Sequence, residues 1–310
     1  MTWDAIRELS TRHSASSLLG PTYQKLTMAV AFKDIGKAAN DLLTKDLKVG
    51  KNTVELKTKV PQGITLTPSA TKAGDKLDGS LKAAYSLAKG MDAEATLSIP
   101  KGALTCSFEA ADQIMKGMTC KVEAEMPGAM KLSGALAEVS YKTGPFKCLA
   151  SYELFKGDLK ASGSGTMAPF TVGAECGYST AKGLSKYTIS SQFVQPDFTV
   201  SCKIVDDILG KKPAKTFSGA YYHKVSGDMQ VGAEIAKVST SPDVDLAFGC
   251  LYKLDKDTAV KGKVDSDGKL SASLKQKLSP LTLITLAAEI DTVNLNEGKH
   301  KFGMVMNLTP

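Results

Sequence analysis

From about residue 47 to residue 308 the chain alternates apolar and polar residues with a period of two. Successive side chains of a β-strand point to opposite faces, so each such run predicts a strand with one apolar and one polar face. The alternation is clearest in residues 77–87, 92–99, 118–124, 146–152, 170–176, 229–235, 248–254 and 302–308. We therefore predict an all-β body that fills most of the chain.

Turn-forming residues separate these runs at regular intervals. Gly, Asp and Ser recur between them, and the clearest turns are predicted at 72–75, 127–128, 156–158, 226–228 and 265–268. At about 14 residues for a strand and its turn, residues 47–308 predict roughly 19 strands of about ten residues each, the length of a tilted membrane strand. No long linker divides the region, which indicates one domain.

The composition of the two faces favours a membrane β-barrel over a soluble sandwich. The apolar face continues through more strands than a sandwich usually has, and it is rich in Ala, Gly and Cys. The polar face carries Lys, Glu, Asp, Ser and Thr at a density that suits a wet interior. No stretch approaches 18 consecutive apolar residues, which excludes transmembrane helices. Alternation alone leaves both all-β alternatives open, because both have one apolar and one polar face.

One segment near the N-terminus has helical periodicity. An apolar stripe formed by Phe32, Ile35, Ala39 and Leu42 recurs at steps of three and four residues. Charged and polar residues, among them Lys33 and Lys37, occupy the opposite side. This pattern predicts a small amphipathic helix that docks on an apolar surface.

The charged and reactive residues argue against an enzyme and against a nucleic-acid reader. The formal net charge is +7, yet Arg7 and Arg12 are the only arginines, and arginine is the preferred side chain for bidentate contacts to guanine and phosphate. Lysines suit a diffuse attraction for anions. No phosphate loop, metalloprotease motif, nucleophile elbow or C-x-x-C pair is present, so no catalytic residue, cofactor or metal site is expected. The six cysteines fall on the apolar side of their runs and are interpreted as small hydrophobic residues.

The C-terminal segments resemble the late hairpins of the mitochondrial porins, the voltage-dependent anion channels. The resemblance rests on Gly219-Ala220-Tyr221-Tyr222-His223-Lys224-Val225-Ser226, on 231–234, 248–255, 261–265, 276–280 and 283–286, and on the closing strand 298–308. Residues 32–45 are similar to the amphipathic helix that lies inside the pore of this family. The closing strand also fits the family's outer-membrane assembly signal, which the resemblance places at Lys301, Gly303, Met306 and Leu308.

This resemblance implies a transmembrane β-barrel of roughly 19 strands with an N-terminal amphipathic α-helix in or near the lumen. The family's barrel has 19 strands, so the count is not independent of the resemblance. The expected organisation is an N-terminal extension at 1–29, the helix at 30–45 and the barrel at 46–310.

The implied function is a voltage-gated, weakly anion-selective channel of the mitochondrial outer membrane that passes ATP, ADP, phosphate and small metabolites. Expected partners are membrane lipid, permeant nucleotides and metabolite anions, and a homo-oligomer or larger mitochondrial complex, with no nucleic acid and no cofactor. The alternation and the resemblance together place anion-attracting lysines in the lumen at Lys33, Lys37, Lys45, Lys57, Lys59, Lys82, Lys121, Lys147, Lys261 and Lys263. Acidic residues share that face, so only modest selectivity is expected.

The chain departs from the family pattern in its first 50 residues. It has about 25 additional residues before the helix, Asn40 where a basic residue is common, and Asp46-Leu47-Lys48 where the family has a glycine-rich hinge. Two alternatives accommodate these departures: a porin-type barrel that serves as a structural or docking subunit of a larger mitochondrial assembly, and a protein-import channel of the same superfamily. A soluble all-β binding protein is the remaining alternative.

Overall fold

The computed structural model describes residues 28–128, 132–210, 213–298 and 300–309. Nearly all of the expected N-terminal extension therefore lies outside the described residues. The first strand, β1, comprises Asn52–Leu56 and its continuation Thr58–Lys59. The strands that follow are β2 Thr65–Ala73, β3 Lys76–Ala88, β4 Met91–Ile99, β5 Ala103–Ala111, β6 Met118–Met126, β7 Gly134–Thr143, β8 Phe146–Glu153, β9 Asp158–Met167, β10 Phe170–Ser179, β11 Gly183–Val194, β12 Phe198–Asp207, β13 Ala214–Lys224, β14 Met229–Val238, β15 Val244–Lys253, β16 Thr258–Asp265, β17 Lys269–Ser279, β18 Thr282–Asp291 and β19 Lys301–Leu308.

The strands form one closed ring. Each strand pairs antiparallel with the next one in the chain, as in the hairpin where Met167 faces Phe170 between β9 and β10. The ring closes where β1 pairs parallel to β19, with Val54 opposite Met306. Within the described residues this gives a closed barrel of 19 strands, which confirms the predicted fold class.

Closure satisfies the backbone of every strand. A bilayer offers no water to an unpaired N–H or C=O group, so strands cross it only where the sheet has no free edge. The contact between β1 and β19 supplies this last set of pairings, extended by the bond from the Lys57 N–H to the Leu308 carbonyl at 2.7 Å.

The two faces of the barrel differ as the alternation predicts. On β10, Phe170 and Val172 point outward and are 56% and 55% exposed, whereas Thr171 points inward and is 2% exposed. The same outward face carries the six cysteines, all of them free thiols. In water this array of exposed apolar side chains would be unfavourable, and the hydrocarbon of a bilayer is the environment that suits it.

The helical segment is shorter than predicted. A single 3-10 turn at Phe32–Asp34 precedes the α-helix α1, which spans Lys37–Thr44. Gly36 separates them with a left-handed backbone (φ 75°), which a residue with a Cβ rarely adopts. A Cβ at Gly36 would also lie 2.8 Å from the Ser201 Oγ on β12. In the part of the chain that the structure describes, no helix is both long and apolar enough to span a membrane.

Adjacent residues on β6 test the assignment of the two faces. Val122 points outward from the middle of the strand and is 53% exposed, whereas Lys121 points inward and lies 3.0 Å from the Glu123 carboxylate. We expect Val122→Lys to reduce the free energy of unfolding in lipid by about 2–4 kcal/mol, because it places a charge in hydrocarbon. Lys121→Gln should cost well under half of that. Denaturant titration of liposome-refolded protein measures both, and equal losses would mean that the faces are assigned wrongly.

Candidate functional site

Residues 28–51 run along the inner wall of the barrel, and we call this segment the lumenal belt. Its first part lies over β9 and β11, where the Val30 N–H donates to the Thr166 Oγ1 at 3.4 Å and the Ser164 Oγ donates to the Val30 carbonyl. The Gly36 N–H donates to the Gln192 Oε1 at 2.9 Å. All three wall side chains are less than 9% exposed. Polar side chains of the wall therefore satisfy backbone groups that a non-helical segment would otherwise leave without partners.

The middle of the belt, including α1, packs on wall positions that have no side chain. Leu42 and Leu43 are 3% and 2% exposed and lie over Gly232 on β14 and Gly249 on β15. A Cβ at either glycine would come within 2.7 Å of the leucine methyl group above it. Nearer the start of the belt, Gly173 on β10 lies beneath Phe32 and Ile35 in the same way. The glycines allow the backbone of the belt to approach the sheet closely.

Lysines of the wall hold the end of α1. The Lys261 Nζ on β16 donates to the carbonyl oxygens of Asp41 at 3.0 Å and Lys45 at 2.7 Å. On the neighbouring strand β17, the Lys275 Nζ lies 3.4 Å from an Asp46 carboxylate oxygen. The Asp41 carbonyl also accepts from the Lys45 N–H at 3.1 Å, so Lys261 adds a second donor there. Carbonyls at the end of a helix carry partial negative charge, so ammonium groups stabilise them.

The belt then crosses the last strand to reach the first. The Gly50 N–H donates to the Phe302 carbonyl at 2.8 Å, and the Met304 N–H donates to the Lys51 carbonyl at 3.2 Å. Gly303 lies beneath this crossing, and a Cβ there would collide with the Lys48 carbonyl and lie 3.0 Å from the Lys51 carbonyl. The crossing thus packs against the closure between β1 and β19.

The belt leaves the other side of the lumen open. Its contacts lie on β9–β19, and the wall across from them is formed by β3–β8. This wall is lined by polar and charged side chains, namely Ser86, Asp92, Glu94, Thr96, Thr105, Ser107, Glu109, Lys121, Glu123, Glu138, Ser140, Lys147 and Ser151. Among the described residues, no group of three or more His, Cys, Asp or Glu side chains is placed to hold a metal ion.

The ten predicted lysines lie in different environments. Four have carboxylate partners within 4.0 Å: Lys82 with Glu94, Lys121 with Glu123, Lys263 with Asp265, and Lys37 with Asp34. Lys147 and Lys33 line the same cavity near the start of the belt. Lys45 lies at the end of α1, and Lys261 is buried beneath the belt. Lys59 lies on β1, and Lys57 lies in the break between the two parts of that strand. Attraction of anions by these residues stays a prediction.

Lys37 is paired with a carboxylate of the belt itself. The side-chain hydrogen bond from Lys37 to Asp34, at 3.0 Å, raises the pKa of Lys37 above its ordinary value. Because both groups are solvent-exposed, such a pair adds little stability. It does place an opposite charge beside the lysine, which weakens the positive field that Lys37 presents to the lumen.

The predicted assembly signal occupies β19, with its side chains on both faces. The Lys301 Nζ lies 3.5 Å from the Glu289 carboxylate, and Gly303 carries the crossing of the belt. Met306 and Leu308 share the outward face and pair with Val54 and Leu56 of β1. Their role as an assembly signal stays a prediction.

Alternation did not identify the wall residues that hold the belt. Ser164, Thr166 and Gln192 on polar faces had no feature to set them apart from other lumenal residues. Gly173, Gly232 and Gly249 did carry a usable signal, since each places a glycine where the pattern calls for an inward side chain. Such a gap in the polar face indicates close approach by another segment.

Gly303 and Gly262 form a matched pair for testing the crossing of the belt. We expect Gly303→Ala to reduce the free energy of unfolding by about 1–3 kcal/mol, because the added methyl group must displace the backbone of the belt. Gly262 on β16 faces outward with open space around it, so Gly262→Ala should change stability by less than about 0.5 kcal/mol. Refolding purified protein into liposomes before denaturant titration bypasses cellular assembly, so a loss at Gly303 would report packing. Equal stability of the two variants would contradict the packing role.

Comparisons with known proteins agree with this architecture. A family model described as eukaryotic porin matches residues 28–303. A Candida albicans protein named mitochondrial outer membrane protein porin is 28% identical over 293 residues, covering 89% of this chain and 98% of its own length. A Drosophila melanogaster protein named voltage-dependent anion-selective channel is 26% identical over 292 residues, covering 90% and 98%. The solved structure of a triple mutant of Rhodopseudomonas blastica porin is similar in fold alone, with a TM-score of 0.52 and 8% identity over 78% of this chain and 98% of that chain.

Proposed function

Because the chain belongs to the eukaryotic porin family, we propose that it forms a voltage-gated, weakly anion-selective diffusion pore in the mitochondrial outer membrane. The observation that carries this proposal is the closed barrel with an apolar exterior and a charged interior that the belt covers on one side only. Relatives named as mitochondrial outer-membrane porins support the location.

The size of the barrel suits solutes as large as nucleotides. Barrels of about 16–18 strands already enclose an aqueous channel, and this one has 19. The belt narrows the passage along β9–β19, so permeants would move between it and the wall of β3–β8. We propose ATP, ADP, phosphate and small carboxylates as the permeant anions.

Selectivity would come from the summed field of the lumen and not from a tight binding site. Lysines from the belt and from several strands attract anions, while carboxylates on the same walls oppose them. The ion pairs of Lys82 and Lys121 further reduce the positive field on the open side. A pore of this kind discriminates weakly and conducts fast, because no permeant is held. Transport by diffusion requires no catalytic group, so we propose that the protein is not an enzyme.

Recording from purified protein in a planar bilayer tests the proposal. We expect stable conductance that falls at high voltage of either sign, and a reversal potential in a KCl gradient displaced toward chloride. Absence of conductance from correctly folded barrels would overturn the pore and would favour a docking role within a mitochondrial assembly. Refolding is checked separately, by the electrophoretic mobility of the unheated barrel.

Three lysines provide a sharper test of the selectivity. Replacing Lys37, Lys57 and Lys59 together by Glu should move the reversal potential toward cation preference, because six units of charge change along the lumen. The control carries Glu at Lys101, Lys182 and Lys256, which lie exposed in the turns between strands. Reversal potentials in a KCl gradient give both results. A shift of the same size in the control would mean that total charge, and not its lumenal position, sets the preference.

A further inference from the structure

Lys261 differs from every other lysine that the sequence places in the lumen. It is 5% exposed, and its Nζ donates to two carbonyl oxygens of the belt. Lys263, two residues along the same strand and on the same face, has a side chain that is 24% exposed and lies 4.0 Å from Asp265. One of these neighbours therefore faces the passage, while the other is covered by α1.

The chain makes a sharp turn at the point that Lys261 holds. Asp46 has a left-handed backbone (φ 65°), which is unfavourable for a residue with a side chain and needs support from its surroundings. Its carboxylate is paired with Lys275 on β17, and the carbonyl of the preceding residue accepts from Lys261. Two ammonium groups from neighbouring strands thus secure the end of α1 and the turn that follows it.

We propose that Lys261 is a positioning residue, a clasp that keeps α1 docked against β13–β15. The leucine contacts on Gly232 and Gly249 are apolar, so they include no hydrogen bond that sets the position of the end of α1. Donation to the carbonyls of Asp41 and Lys45 is directional and fixes the end of the helix. Carboxylates near Lys261 belong to Asp41 and Asp46, and the neighbouring cations are Lys45 and Lys275.

The clasp has a consequence for the field in the lumen. While α1 is docked, the ammonium of Lys261 is occupied by carbonyl oxygens and screened from permeants by the helix. When α1 lifts from the wall, this ammonium becomes an additional lumenal cation. This part of the inference rests on the proposed pore function, whereas the docking of α1 by Lys261 does not.

Thiol accessibility beneath the helix tests the clasp directly. The reporter is Leu43→Cys, at a position on the wall-facing side of α1 that is 2% exposed, in a background where the six native cysteines, all on the outer face, are replaced by Ala. Refolded liposomes are treated with a membrane-impermeant maleimide, and the labelling rate is measured. We expect Lys261→Met to raise this rate at least tenfold, and the matched Lys263→Met to change it less than twofold. Equal rates in the two variants would overturn the clasp.

Controls separate the clasp from misfolding and from the proposed function. Barrel formation is followed by electrophoretic mobility without heating, and only variants with unchanged mobility are compared. Lys261→Gln, whose shorter amide side chain cannot reach both carbonyls, is a second variant with the same expected rise if Lys261→Met does not fold. The labelling rate does not depend on conductance. A folded protein that does not conduct would therefore overturn only the proposed pore, and equal labelling of the Lys261 and Lys263 variants would overturn only the clasp.

Discussion

The requirement that no strand keep an unpaired backbone edge in hydrocarbon governs this structure. A hairpin-built sheet meets that requirement only when its first and last strands meet. With an odd number of strands the two ends run in the same direction, so the closing pair is parallel while its neighbours in the ring are antiparallel. The alternation of side chains then follows, because each strand borders lipid on one face and the interior on the other. Because the interior is hydrated, the polar faces of the strands together line a passage.

The interior is organised by the segment that lies within it. Inward positions under the belt include glycines and short polar groups, as at Gly232 and Ser164, and lysines that bind the belt, as at Lys261. The opposite wall carries charged side chains such as Glu94 and Lys121 that do not contact the belt. The belt therefore divides the inner wall of the barrel into two surfaces with different roles. One surface binds a protein segment through close contact and hydrogen bonds, and the other remains hydrated and sets the field that solutes meet.

Much of the fold could be predicted from the sequence, because a period of two depends only on local geometry and on which face meets lipid. Turn positions and the two faces follow from it, whereas the strand number was predicted from it together with the family resemblance of the last hairpins. The contacts of the belt could not be predicted in this way. Alternation states which face Lys261 points to, but its partners are the carbonyls of Asp41 and Lys45, more than 200 positions away in sequence. Closure of the ring brings these residues together, and a local pattern in the sequence carries no information about it. The helix is shorter than the apolar stripe predicts because Gly36 has a left-handed backbone, which interrupts the helical segment.

The parallel pair of β1 and β19 also determines when the protein can become stable. Eighteen antiparallel pairings join strands that are adjacent in the chain, and each of them links nearby residues. The closing pair joins residues 54 and 306, so it cannot form until the final strand exists. Contacts between residues so far apart in sequence form slowly, and they stabilise the fold only after the intervening strands are in place. Closure of the barrel therefore depends on β19, and a chain that lacks this strand would leave the edges of β1 and β18 unpaired in the membrane.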